Sequence, residues 1–181
     1  GTARFLSALA EFRFDDAALA SLDFLDAETL RWLADYEFRG DIDGYPEGEL
    51  YFPGSPILTI EGTFAEAVVL ETLALSILNH DSAVAAAASR MVLAADGRPC
   101  IEMGSRRTHE WAAVGAARAA YIAGFATTSN LEAGRTFGIP TAGTSAHSFT
   151  LLHDDEESAF RAQVESRGTG TTLLVDTYDV P

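Results

Sequence analysis

Nine residues, Thr141 to Phe149 (TAGTSAHSF), set glycine, hydroxyls and an imidazole side by side, directly after the turn signal Gly138-Ile139-Pro140. Small residues let a backbone approach a ligand closely. Hydroxyls and amides can hold oxyanions, and His147 can accept a proton or a phosphoryl group. The alternative is a polar loop that caps a helix, a common use of this composition. A second polar cluster lies upstream, Glu102-Met103-Gly104-Ser105-Arg106-Arg107-Thr108-His109. An unpaired buried guanidinium is costly, so Arg106 and Arg107 each need a carboxylate, water or an anionic ligand. Adjacent residues of an extended chain point opposite ways. One arginine can then face a ligand while the other pairs with Glu102 or Glu110. Two salt-bridged arginines and a bidentate contact to phosphate or carboxylate both remain open.

Other templates fail. Gly143-x-Ser145-x-His147 misses the last glycine of the GxSxG nucleophile elbow. His109-Glu110-Trp111-Ala112-Ala113 lacks the second histidine of HExxH. His147 and His153 lie six apart with no cysteine nearby, weak support for a metal site. Gly168-Thr169-Gly170 lacks the third glycine of the dinucleotide fingerprint. What survives is a histidine beside hydroxyls and tight backbone, with Arg and Asp within reach, which suits phosphate binding or phosphoryl transfer.

The elements that must position these groups follow from the pattern after Pro99. Cys100–Met103 reads as a strand, Glu110–Ile122 as a helix ending at Gly124, Phe125–Thr128 as a strand and Asn130–Phe137 as a short helix. Thr141–Thr144 reads as a third strand, Asp155–Ser166 as an acidic helix and Thr172–Val175 as a fourth strand. Alternating strands and helices imply a parallel sheet or barrel, whose chemistry sits just past the strand C-terminal ends. Four polar clusters fall there: Gly104–His109, Ser129-Asn130, Thr144–Ser148 and Asp176–Asp179. Upstream, residues 1–35 read as helical, with a second helix near Asp26–Ala34. From Tyr36 to Ile60, glycines and prolines mark short strands joined by tight turns. Thr63 and Glu66 have capping-box spacing at the start of an apolar helix to about Asn79, expected to be buried. His80-Asp81-Ser82 is expected to restart a second helix, which Asp96-Gly97-Arg98-Pro99 ends.

The bulk composition removes several function classes. The 181 residues are 48% hydrophobic, enough for a core. Charges interrupt each apolar run, so none is expected to reach membrane-spanning length, and no secretory signal is visible. A single cysteine, Cys100, fits a reducing, cytoplasmic compartment. The formal net charge of -15 disfavours a polyphosphate partner such as nucleic acid. All 12 basic residues are arginine. That excludes a Schiff-base lysine and a GxxxxGK[ST] loop, so phosphates must be held by Arg, backbone N–H groups and hydroxyls. The chain begins Gly1-Thr2 and ends on an apolar strand pattern, so a portion of a longer protein is expected.

Taken in order, EMGSRRTHE at Glu102–Glu110, TTSN at Thr127–Asn130, GTSAHSF at Gly143–Phe149 and LLVDTYD at Leu173–Asp179 resemble the nicotinate phosphoribosyltransferases, especially their actinobacterial branch. YPEGELYFPGSPILTIEG at Tyr45–Gly62 is similar to that family's N-terminal module. The resemblance implies condensation of nicotinate with phosphoribosyl pyrophosphate to nicotinate mononucleotide and pyrophosphate, coupled to ATP hydrolysis, with Mg2+. It implies an α/β fold, part of an irregular α/β barrel of the type II phosphoribosyltransferases, preceded by part of an α+β N-terminal domain, usually in a homodimer. Residues 1–63 would be part of the N-terminal domain, 64–98 connecting buried helices, and 99–181 the first βα units of the barrel. By the same resemblance His147 is the histidine phosphorylated by ATP and Thr144 a nicotinate contact. Arg106 and Arg107 lie near the nicotinate carboxylate and phosphoribosyl groups. Ser129, Asn130 and Ser148 are substrate-binding, and Asp176 is a rim acid near the ribose or Mg2+. Later barrel strands and the family's extreme N-terminal segment are not represented, so this segment is expected to be inactive alone. A transferase acting on nicotinamide and an inactive scaffold relative are the alternatives.

Overall fold

A computed structural model of the chain describes residues 1–180. They divide into two compact units, Gly1–Ala94 and the remainder from Ala95.

The first unit opens with three helices, α1 (Thr2–Glu11), α2 (Asp16–Ala20) and α3 (Ala27–Ala34). Asp15 and Asp26 cap α2 and α3 by accepting backbone N–H groups their first turns leave free. Tyr36, just beyond α3, is buried against the edges of Phe12, Phe14 and Trp32, and its hydroxyl donates to the Glu66 carbonyl at 2.8 Å. Of the short strands expected between Tyr36 and Ile60, one antiparallel pair forms, β1 (Asp41–Gly44) with β2 (Leu58–Glu61), Asp41 opposite Glu61. The intervening segment carries Pro46, Pro53 and Pro56, which offer no N–H to a ladder. Gly40 packs so closely on the Glu61 carbonyl that a Cβ there would collide with it.

Thr63 and Glu66 form the expected capping box, with hydroxyl to amide and carboxylate back to amide, at the head of α4 (Phe64–Val68). The next helix corrects two expectations. Residues Glu71–Ala95 form one helix, α5, unbroken at His80-Asp81-Ser82. The stretch contains no glycine or proline, and Asp81 does not cap. Its buried carboxylate instead takes a two-pronged contact from Arg4, Nε to Oδ2 at 3.0 Å and Nη2 to Oδ1 at 2.8 Å. Nor is the apolar stretch buried: Phe64, Leu75, Met91 and Leu93 are exposed, and only Ala74, Ile77, Leu78, Asp81 and Ala88 of α5 are buried. Because the two expected helices run on as one, Phe64–Ala95 does reach the length and apolar composition of a membrane crossing, by those two criteria alone. Its inward face packs on apolar neighbours within the first unit: Phe5 of α1 is wholly buried with Ala74 and Ile77, and Ile42, Leu58 and Ile60 of the hairpin close over them.

The second unit is α/β. Strand β3 (Ile101–Glu102) pairs in parallel with β4 (Thr127–Thr128), Ile101 opposite Thr127 and Glu102 opposite Thr128. Helix α6 (Glu110–Ile122) makes the crossover, and α7 (Leu131–Phe137) follows β4. Alanines let the helices approach closely: Ala117 on α6 and Ala133 on α7 are fully buried and meet Ile139. Gly138 ends α7 in the left-handed region, φ 67°, where a side chain would be strained. The expected third strand shrinks to a single parallel bridge between Thr141 and Thr128, since Pro140 before it has no N–H to extend the ladder. The expected fourth strand, Thr172–Val175, does not form among the described residues. Thr172 gives its carbonyl to the side chain of Gln163 rather than to a neighbouring strand. A short helix that the pattern does not announce, α8 (His147–Leu151), precedes α9 (Glu156–Arg167).

Phe5→Ala should lower stability by about 3–5 kcal/mol, because an aromatic ring is removed from a fully closed site. Urea unfolding of the two proteins measures the difference.

Candidate functional site

The arginine pair rides on a single turn of 3-10 helix, Gly104–Arg107, fixed from beneath by Glu102. That carboxylate is buried; its Oε1 accepts the Gly104 N–H, and its Oε2 accepts the Thr128 hydroxyl at 2.6 Å. Thr128 Oγ1 in turn accepts the Asn130 N–H at 3.0 Å, and Asn130 Nδ2 donates to Ser105 Oγ at 3.0 Å. Asn130 also caps α7 through Ala133 N. Charge, hydroxyl and amide thus lock the turn to the end of β4. Glu102 is therefore not an arginine partner, which corrects the salt-bridge alternative. Glu110 faces His109 Nε2 at 3.7 Å. Among the described residues neither the Arg106 nor the Arg107 side chain has an ion pair or hydrogen bond, and both residues are exposed. Their guanidinium groups are left for water or an anion.

His147 is the first residue of α8 and is 50% exposed. Its Nδ1 lies 3.2 Å from Thr177 Oγ1 and its Nε2 3.8 Å from Asp176 Oδ1. Asp176 and His147, which the sequence places in separate clusters, are thereby brought together. Thr177 has the more direct contact and was not among the expected site residues. A second polar hub was also missed. Gln163 of α9, buried, accepts the Ser145 hydroxyl at 2.7 Å and donates to Thr171 Oγ1 and the Thr172 carbonyl. The available signal was spacing: Ala159 and Gln163, four apart, occupy the inward face of an otherwise charged helix.

Thr144 and Ser129 line one cavity of about 1300 Å3, together with Gly143, Ser145, Gln163 and Thr172. Arg106, Arg107, His147, Ser148 and Asp176 are not part of that wall. Ser148 is exposed on α8. Two other histidines serve structure: His109 Nδ1 accepts from Trp111 N at the head of α6, and His153 Nδ1 lies 2.9 Å from the Phe149 carbonyl with the two rings in tilted contact. Among the described residues no three His, Cys, Asp or Glu side chains gather as a metal cage. Asp155 caps α9; the Ser158 amide N–H that it accepts holds its carboxyl below the ordinary value. The support it gives α9 is therefore present above that ordinary value and lost as pH falls through the depressed one.

Residues 1–79 match the model of the nicotinate phosphoribosyltransferase (NAPRTase) N-terminal domain. Nicotinate phosphoribosyltransferase pncB1 of Mycobacterium tuberculosis is 65% identical over 99% of this chain. The chain is thus similar to nicotinate phosphoribosyltransferases along nearly all of its length. The nicotinate phosphoribosyltransferase of Bacillus subtilis is 42% identical over 74% of the chain and 27% of its own length. The crystal structure of human nicotinic acid phosphoribosyltransferase superimposes with a TM-score of 0.73 and 33% identity over 81% of this chain and 31% of that one. The chain spans 42% of the length of the M. tuberculosis family member.

Glu102→Ala should leave the Gly104 N–H and Thr128 hydroxyl without their acceptor, a loss of about 1–3 kcal/mol for buried polar groups. Amide hydrogen exchange should accelerate across Gly104–Arg107. Unchanged exchange in that turn would show that the carboxylate does not hold it.

Proposed function

We propose that this chain forms an N-terminal portion of a nicotinate phosphoribosyltransferase, which joins nicotinate to phosphoribosyl pyrophosphate and couples the transfer to ATP hydrolysis through a phosphohistidine at His147. The supporting observation is an exposed imidazole held between a hydroxyl and a carboxylate, His147 with Thr177 and Asp176, in a chain 65% identical to a protein named for that activity. In the transfer, the nicotinate ring nitrogen bonds to the ribose C1 as the bond to pyrophosphate breaks. Positive charge grows on the ribose and negative charge on the leaving group. Arg106 and Arg107, unpaired and adjacent, suit the nicotinate carboxylate and the phosphate oxygens. Thr144, Ser129, Asn130 and Ser148 supply hydroxyl and amide contacts to substrate.

For the ATP step, a ring nitrogen of His147 bonds to the γ-phosphorus as the bond to ADP breaks. Asp176 stabilises the imidazolium that develops, and Thr177 fixes the ring's orientation. Mg2+ is commonly held by one or two carboxylates plus substrate phosphates, and Asp176, exposed beside His147, fits that habit. When bound, the ion neutralises phosphate charge. In this reading residues 1–63 belong to an α+β domain, 64–98 connect, and 99–181 begin an α/β barrel. The complete enzyme is a cytoplasmic homodimer without nucleic-acid or membrane partners.

In the full-length protein, His147→Ala should abolish ATP turnover, by about a hundredfold or more, and leave weak ATP-independent transfer of nicotinate. Product formation from nicotinate and phosphoribosyl pyrophosphate, with and without ATP, measures both. Persistent ATPase activity in the variant would sink the assignment of His147, and preference for nicotinamide as acceptor would redirect the substrate.

A further inference from the structure

Gln163 stands in the interior of the second unit with 6% of its surface exposed, and both ends of its amide are engaged. Its Oε1 accepts the Ser145 hydroxyl at 2.7 Å, while its Nε2 donates to Thr171 Oγ1 at 2.8 Å and to the Thr172 carbonyl at 2.9 Å. Chemistry fixes which end is which. The Thr172 carbonyl can only accept, so the amide group facing it is the NH2, and the oxygen is left for a hydroxyl. One side chain therefore fastens two separate stretches of chain. Ser145 lies two residues before His147, and Thr172 lies four before Asp176 and five before Thr177. Further along the same two stretches, His147 meets Thr177 at 3.2 Å and Asp176 at 3.8 Å.

No sheet ladder performs this joining, because residues 172–175 form no strand among the described residues. The imidazole's own contact to Thr177 is half exposed, and a single hydrogen bond contributes only about 0.5–1.5 kcal/mol. Ordering the backbone of even one residue costs roughly 1–2 kcal/mol. The ring contact alone thus cannot hold the 171–177 stretch against α8, whereas a buried amide with three partners can. We propose that Gln163 is the positioning residue that keeps His147 in register with Thr177 and Asp176. Its functional consequence rests on the phosphohistidine reading, since a phosphoryl acceptor displaced by about 1 Å can lose a hundredfold in rate.

The test uses full-length protein with 15N-labelled histidine, so that the ring nitrogens of His147 report tautomer and hydrogen bonding. Thr177→Val removes the contact directly and gives the reference spectrum for a released ring. Gln163→Met, which keeps length and burial but none of the amide's bonds, should reproduce that reference, and Ser145→Ala should move part of the way. Acid-labile phosphate on His147 from ATP should form about tenfold or more slowly in Gln163→Met, with ATP binding retained. A glutamine that only stabilised the fold would lower the melting temperature and leave the ring signals of the folded protein unchanged. Folded Gln163→Met with wild-type ring signals overturns the proposal, as does a wild-type spectrum identical to Thr177→Val. If Gln163→Met does not fold, Ser145→Ala decides, and an unmoved ring spectrum there overturns it. Ring signals that respond as expected, in a protein that takes no phosphate from ATP, would leave the positioning role standing and remove the phosphohistidine reading instead.

Discussion

A carboxylate placed out of water must be satisfied where it stands, and the second unit is arranged around how Glu102 meets that demand. With 8% of the residue exposed, it accepts one backbone N–H and one hydroxyl. The hydroxyl bond joins neighbouring parallel strands only two residues long, and the N–H bond ties the first of them to the turn that follows it. Ladders that short supply few hydrogen bonds, so side chains carry much of the register. Thr128 relays the contact to Asn130, and Asn130 spans from α7 to Ser105. The same bonds keep Glu102 from neutralising the arginines, which follow it by four and five positions. The acid beside the arginine pair in sequence is what leaves that pair available to an anion.

The first unit solves a comparable problem with an ion pair. Asp81 is buried midway along α5 and would be an expensive group alone. Arg4 reaches it from α1 with two parallel hydrogen bonds, and Phe5, next in sequence, plugs the adjacent apolar gap. Charge and hydrocarbon therefore dock α1 on α5 at neighbouring residues.

Local chemistry was legible in the sequence where local chemistry decides. Helix α6 spans the residues its pattern announces, because His109 and Gly124 delimit it. The Thr63–Glu66 capping box forms for the same reason. Strand positions were legible only as far as their partners allowed: Thr141 and Thr172–Val175 have strand composition, yet the first keeps one bridge and the second none. The break expected at His80–Ser82 failed because Asp81, a competent cap, is drawn inward by a residue 77 positions away. At the candidate site the chemistry-bearing types stood out, His147, Arg106, Arg107 and Asp176. The residues that arrange them, Gln163 and Thr177, carry no unusual type or local spacing of their own, and their significance arises only from contacts across 8 to 30 positions.

The apolar surface that α4 and α5 keep in water has a thermodynamic corollary. Phe64, Leu75, Met91 and Leu93 are already hydrated in the folded first unit, so melting wets less new hydrocarbon than its chain length suggests. Its heat-capacity increment should fall below the usual value of about 12–15 cal/mol/K per residue. A smaller increment flattens the curve of free energy against temperature, so that taken by itself this unit has stability that is modest but comparatively insensitive to cooling.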